Sequence, residues 1–207
     1  MKIRSASILC AIIASTTASN AATSWTDIEC PISDENVRER YETVRALATF
    51  GSDVQGWTAF KGGQQAAAAV AHDTGQHKVG LGSMRVDFEF EGNKKIEYVE
   101  VGTRIEIDRP GLGLGMWVRG DGTPLVLRIR LKDRSGETHQ LNLGGLSSHK
   151  WEYVAVMFSS KGGVWGGDRN RKIDYPATLY SIIADRPGKE FKGTGSMWVD
   201  DMNLVRP

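Results

Sequence analysis

The sequence predicts an all-β fold, a two-sheet antiparallel jelly-roll sandwich with a short N-terminal helical or irregular arm. Three observations lead there. From Phe50 onward, apolar and polar residues alternate with period two in one segment after another. Gly-rich turns separate these segments at similar spacing, the pattern of sandwiches and barrels. No run of helical periodicity of comparable length interrupts them, and neither an internal repeat nor a second domain is visible.

Residues 1–22 read as a signal peptide. Lys2 and Arg4 precede the apolar run Ala6 to Ile13, and Ser19-Asn20-Ala21 fits a small-x-small cleavage pattern, with the cut after Ala21 or Ala22. The run is too short for a membrane anchor, and Ser7-Ile8-Leu9 matches a lipobox poorly before Cys10. The expected location is therefore secreted or periplasmic, without membrane insertion. Removing Lys2 and Arg4 from the 26 basic residues leaves 24 against 25 acidic ones, which gives no basis for nucleic-acid binding. Cys30 is then the only cysteine left, so the fold must rest on its hydrophobic core, helped at most by a metal.

Residues 23–49 form the arm. Ser33 or Asp34 can cap a short helix with Val37, Tyr41, Val44 and Ala48 on one face; a loosely attached arm is the alternative. Residues 50–207 form the sandwich. Met84, Val86, Phe88 and Phe90 alternate with Arg85, Asp87 and Glu89, and Val99 to Ile107 repeats the pattern. Leu112 to Arg119 is the next strand, and Gly120-Asp121-Gly122 supplies turn chemistry. Leu125 to Lys132 follows, then strands over about Thr138 to Leu143, Trp151 to Phe158, Ala177 to Ala184 and Gly195 to Val205. Ser159 to Pro176 breaks the hairpin rhythm as a long, Gly-rich, charged loop, of the kind that carries function or stays disordered.

Leu112–Gly122 (LGLGMWVRGDG), Leu127–Asp133 (LRIRLKD), Ser135–Thr138 (SGET), Trp151, Trp165–Asp168 (WGGD), Ile173–Pro176 (IDYP), Leu179–Ile182 (LYSI) and Trp198–Asp201 (WVDD) occur in this order. Together they resemble the galactose-binding-domain-like jelly rolls that serve as carbohydrate-binding modules of secreted bacterial proteins. The resemblance covers about Phe50 to Val205. It implies non-catalytic binding of a polysaccharide or glycoconjugate, and it leaves a glycosidase or an envelope protein open as partner. It also implies a structural calcium between an early acidic residue and one near the last strand. The early position departs from the family's Phe-Glu pair, since Gly51 follows Phe50; Asp53 is the substitute, and Asp201 (beside Asp200) the late ligand.

Two groups of residues are candidates for a sugar site. If Leu114, Met116 and Val118 face the core, Trp117 and Arg119 face away, and Arg128, Arg130 and Lys132 share an outward face. Were these strands neighbours, a ring would lie beside a row of cations, a floor for pyranose stacking that would favour an acidic polysaccharide. The alternatives are a solvated charged face, pairing of the arginines with Glu100, Glu106 or Glu152, and a one-residue register slip that packs Trp117 inside the sandwich. In the long loop, Trp165, Asp168, Asn170 and Tyr175 combine aromatic and polar groups, with Arg169 and Asp174 close by; the alternative is that Trp165 and Tyr175 pin the loop down. Trp57, Trp151 and Trp198 are assigned to the core.

Enzymatic signatures are sparse. There is no Gly-x-Ser-x-Gly, Walker or His-Glu-x-x-His motif, and His72, His77, His139 and His149 lack metal-ligand spacing. A small polysaccharide lyase or glycoside hydrolase stays open as an alternative function, and so does an envelope structural or assembly protein.

Overall fold

The structure is a computed structural model that describes residues 35–207. The expected signal peptide, Cys30 and the proposed caps Ser33 and Asp34 lie outside the described residues. A single helical turn, α1 (Glu35–Arg38), leads into thirteen strands: β1 (Glu42–Ala48), β2 (Thr58–Ala59), β3 (Ala67–Asp73), β4 (Ser83–Phe90), β5 (Tyr98–Gly102), β6 (Ile105–Ile107), β7 (Gly113–Gly120), β8 (Leu125–Lys132), β9 (Glu137–Leu146), β10 (Glu152–Met157), β11 (Gly163–Gly166), β12 (Ala177–Asp185) and β13 (Gly193–Arg206).

They form two antiparallel sheets packed face to face. The first runs β10-β7-β13-β4-β3, with β1 paired to the far half of β13; the second runs β11-β9-β8-β12-β5-β2, with β6 also on β12. Alternation fixes which residues meet between the sheets. Leu114, Met116 and Val118 of β7 and Met84, Val86 and Phe88 of β4 face Leu127, Ile129 and Leu131 of β8, Ile182 of β12 and Val99 and Val101 of β5, all buried in one core. The described residues contain no cysteine, and hydrophobic burial in this contiguous core is their main source of stability. Among the described residues no helix is long and apolar enough to cross a membrane.

Several expectations are corrected. Glu42–Ala48 is not helical but a strand whose partners run from Arg206 to Met202, so the sandwich starts before Phe50. Val44 and Ala48 satisfy a helical spacing and a strand's alternation alike, and the exposed edge of β13 selects the strand. Trp57 is a core residue, but Trp198 points away from the core, where its Nε1–H donates to Asp73 Oδ2 at 2.8 Å. Trp151 is only partly buried and stands outside the core. Most consequentially, β7 and β8 are not neighbours. They lie in opposite sheets, so Trp117 and Arg119 are on one side of the molecule and Arg128 and Arg130 on the other.

Candidate functional site

The outer face of the second sheet assembles from register alone. Gly163 of β11 sits opposite Gln140 of β9, Gln140 opposite Arg130 of β8, and Arg130 opposite Ser181 of β12. These outward side chains form a row perpendicular to the strands. Two residues along, Trp165 sits opposite Thr138. The indole is 46 % exposed and lies over the Arg130 guanidinium, 5.5 Å from ring centroid to Cζ. On the other side of the same guanidinium is the ring of Tyr98, at 4.8 Å. Arg130 is thus held between two aromatic rings, a cation–π arrangement that fixes the height and tilt of Trp165.

Polar contacts fix the arginine further. Arg130 Nη1 donates to Glu100 Oε1 at 3.0 Å and Nε to Gln140 Oε1 at 2.9 Å. Glu100, itself buried, also accepts from the Ser181 hydroxyl at 2.8 Å and from Gln65 Nε2 at 2.9 Å. Although burial lowers the Arg130 pKa, Tyr98 and Glu100 together hold it above the ordinary guanidinium value. Tyr180 stands in an irregularity of β12 between Leu179 and Ser181, and burial raises its phenol pKa against the opposing effect of Arg130. At the far edge the Phe60 amide donates to the Glu100 carbonyl, and its ring, 38 % exposed, lies at Gly102. A Cβ at Gly102 would come 2.0 Å from the Tyr180 carbonyl oxygen and 2.9 Å from the Phe60 ring, so the close approach of these strands requires glycine.

The other expected site residues are distributed differently. Trp117 faces away from the core as expected, but it is only 7 % exposed. Tyr153 packs edge-on at 5.3 Å and the Lys78 ammonium lies 4.3 Å from the ring centroid. It is a covered residue and offers no open platform. Arg119 donates to Gln76 Oε1 and stacks on Trp198 at 5.6 Å, also on the first sheet. Arg128 makes an ion pair with Asp185. Of the expected cation row, both arginines are matched by a carboxylate of the same face: Arg130 by Glu100, the alternative the sequence offered, and Arg128 by Asp185.

In the long loop, Asp168 accepts from the Asn170 amide and side chain, and Asn170 Nδ2 also donates to Asp174. These contacts organise the loop internally. Tyr175 leans on the core edge, with burial raising its phenol pKa. Trp165 alone of this group joins the outward face. Asp53, assigned to calcium, is exposed and accepts the Gln55 N–H at 2.6 Å, while Asp200 is buried and accepts the N–H groups of Lys78, Val79 and Asp201. Asp201 has φ 45° at an irregularity in β13. Neither Asp53 nor Asp201 belongs to the one cluster of three His, Asp or Glu side chains that, among the described residues, could share an ion. That cluster is Asp133, Glu137 and His139.

The chain is similar in structure to the family 11 carbohydrate-binding module of the cellulosomal cellulase Lic26A-Cel5E of Clostridium thermocellum, at 16 % identity and a TM-score of 0.54, over 80 % of this chain and 97 % of that one. A second structure of a Clostridium thermocellum family 11 module, in complex with a β-1,3-1,4-mixed-linked tetrasaccharide, gives 18 % identity and a TM-score of 0.52, over 78 % and 95 %. The fold is that of these β-sandwich modules. A further structure, described in terms of the promiscuous specificity of carbohydrate-binding modules of the β-sandwich superfamily, matches at 12 % identity and a TM-score of 0.52. It covers 77 % of this chain, which spans 61 % of that one. No family model matches the sequence, and no curated protein does.

Sequence reasoning found Trp165 and Arg130, and named Glu100 as one alternative partner of the arginines, but missed Tyr98, Gln65, Gln140 and Phe60 as their neighbours. Only strand order brings these together, and nothing local in the sequence encodes it.

Proposed function

We propose that the chain is a non-catalytic carbohydrate-binding domain, acting outside the cytoplasm, that takes a polysaccharide across the outer face of its second sheet. The observation that carries this reading is the half-exposed Trp165 ring, fixed from beneath by Arg130 and flanked by amide and carboxylate groups. An aromatic face stacks on the CH groups of a pyranose, while the partly exposed Gln140 and Gln65 offer hydrogen bonds to hydroxyls. From β11 to β2 the sheet is six strands wide, roughly 24 Å at ordinary strand spacing, room for several sugar rings between Trp165 and Phe60.

The pairing of Arg128 with Asp185 and Arg130 with Glu100 favours a neutral glycan over the acidic one that a bare cation row would select. A β-1,3-1,4-mixed-linked oligosaccharide, such as the tetrasaccharide of the family 11 complex, is therefore a natural first probe. The signal-like residues 1–22 support the extracytoplasmic placement, and a glycosidase or envelope protein is the partner class to seek there.

The test is a glycan array on the mature protein, with and without chelator, beside Trp165→Ala. Loss of one stacking platform should weaken binding about tenfold or more in a variant that stays folded. A folded protein that binds no glycan, or binds equally well without Trp165, would refute the assignment. The first of these results would turn attention to a protein-binding envelope role.

A further inference from the structure

A second constellation lies at one end of the sandwich, apart from the outward face. Asp133 follows β8, and Glu137 and His139 are alternate residues of β9. All three are buried, and one potential ligand atom from each lies within 4.8 Å of the others. His139 Nε2 is 3.5 Å from Asp133 Oδ2 and 3.4 Å from Glu137 Oε2. Both carboxylates have side chains at 0 % exposure, and His139 is the only basic side chain paired with either among the described residues. Two buried carboxylates beside one imidazole leave negative charge uncompensated, which is costly away from water.

Three of the four carboxylate oxygens are occupied. Asp133 Oδ1 accepts from the Glu137 amide and the Ser135 hydroxyl, each at 2.8 Å. Asp133 Oδ2 accepts the Asp174 N–H at 3.2 Å, and Glu137 Oε2 accepts the Arg171 N–H at 3.1 Å. The fourth, Glu137 Oε1, is fully buried and has no hydrogen-bond partner. A fully buried carboxylate oxygen without a partner, on the carboxylate whose other oxygen lies 3.4 Å from the His139 nitrogen, calls for a cation. We propose that Asp133, Glu137 and His139 bind one divalent transition-metal ion of the zinc class.

The donor set decides the class. One imidazole nitrogen and two carboxylates suit zinc and its neighbours, whereas calcium takes oxygen ligands. The second shell is in place, since backbone N–H groups of the long loop orient both carboxylates. Gly167, at φ 47°, lets that loop come close; a Cβ there would lie 2.4 Å from the Glu137 nitrogen. Three protein ligands leave a coordination position for water, and His139 also lines a cavity of about 560 Å³ with Leu141, Phe158 and Tyr175, through which an ion can enter. Bound there, the ion ties the two strands of the β8–β9 hairpin together and fixes the carboxylates that accept the loop's Arg171 and Asp174 N–H groups.

The experiment is calorimetric titration of tag-free, metal-stripped mature protein with zinc chloride and, separately, with calcium chloride, with melting curves before and after. One zinc site per chain is expected, with a raised Tm. Affinity should fall at least tenfold in both Glu137→Gln and His139→Gln, in line with the loss of a ligand. Should either variant fail to fold, Asp133→Asn supplies a second readout and should lose zinc affinity to the same degree. A folded wild type that takes no zinc, one that prefers calcium, or folded variants that bind zinc as tightly as the wild type would each overturn the site.

Discussion

At the scale of single residues, two tryptophans with similar credentials in the sequence have different physics. Trp165 spends half its surface on solvent, and Trp117 is sealed under Tyr153 and Lys78. Trp117→Ala should therefore cost about 3–5 kcal/mol of stability, as expected for truncating a buried large aromatic, read in urea unfolding. Whatever remains folded should bind glycan as the wild type does. Trp165→Ala should show the opposite pattern, with stability nearly intact and binding lost. The residue types were legible in the sequence, and so was the direction in which Trp117 points. What covers it was not, because Tyr153 and Lys78 arrive from 36 and 39 positions away through strand pairing and a loop. Glu137 and His139 escaped for a related reason. Their spacing of two is meaningless as a ligand motif on a helix but places both on one face of a strand, next to a turn that returns Asp133.

At the scale of elements, strands with strong alternation were readable: β4, β7, β8, β12 and β13 lie within a few residues of the expected bounds. The elements that escaped lack that signal. β3 is mostly alanine (AAAVAHD), β2 has two residues, and β11 is a short Gly-flanked strand inside what read as a loop. Each is held by a neighbour's unpaired edge more than by its own pattern. The same dependence makes the β5–β12 contact fragile. Gly102→Ala would drive a methyl into the Tyr180 carbonyl and, through forced backbone shifts, should lower stability by about 1–3 kcal/mol, measurable as a lower Tm. Because Phe60 and Tyr180 flank that point, glycan affinity should fall with it, whereas Gly188→Ala, in open space and without a positive φ, would leave both unchanged.

For the molecule as a whole, acid is the revealing variable. Burial raises the pKa of Asp73, Asp121 and Asp133, but hydrogen-bond donors around each outweigh it and hold all three below the ordinary carboxylate value. A depressed folded value means stability that is present above the unfolded pKa near 3.8 and lost as pH falls through the folded values. Asp200 runs the other way. Burial outweighs the amides of Val79 and Lys78 and raises its pKa, so its contribution is greatest below 3.8 and fades as pH rises through its folded value. With three groups against one, the Tm should be steady near neutrality and decline below about pH 4, as a pH series of melting curves would show. A Tm that rose on acidification would mean that the buried Asp200 dominates.

The centre of the first sheet is β13, which pairs with β7 on one side and with β4 and β1 on the other, yet comes after every other strand in the chain. Until it emerges, β7 and β4 have no common partner and half of the core has no floor. A growing chain thus gains little by collapsing early, since the contacts that close the sandwich are also those with long sequence separation. The strand order therefore predicts that folding waits for β13: in pulsed hydrogen exchange the amides of β4 and β7 should gain protection together with those of β13 and not before them.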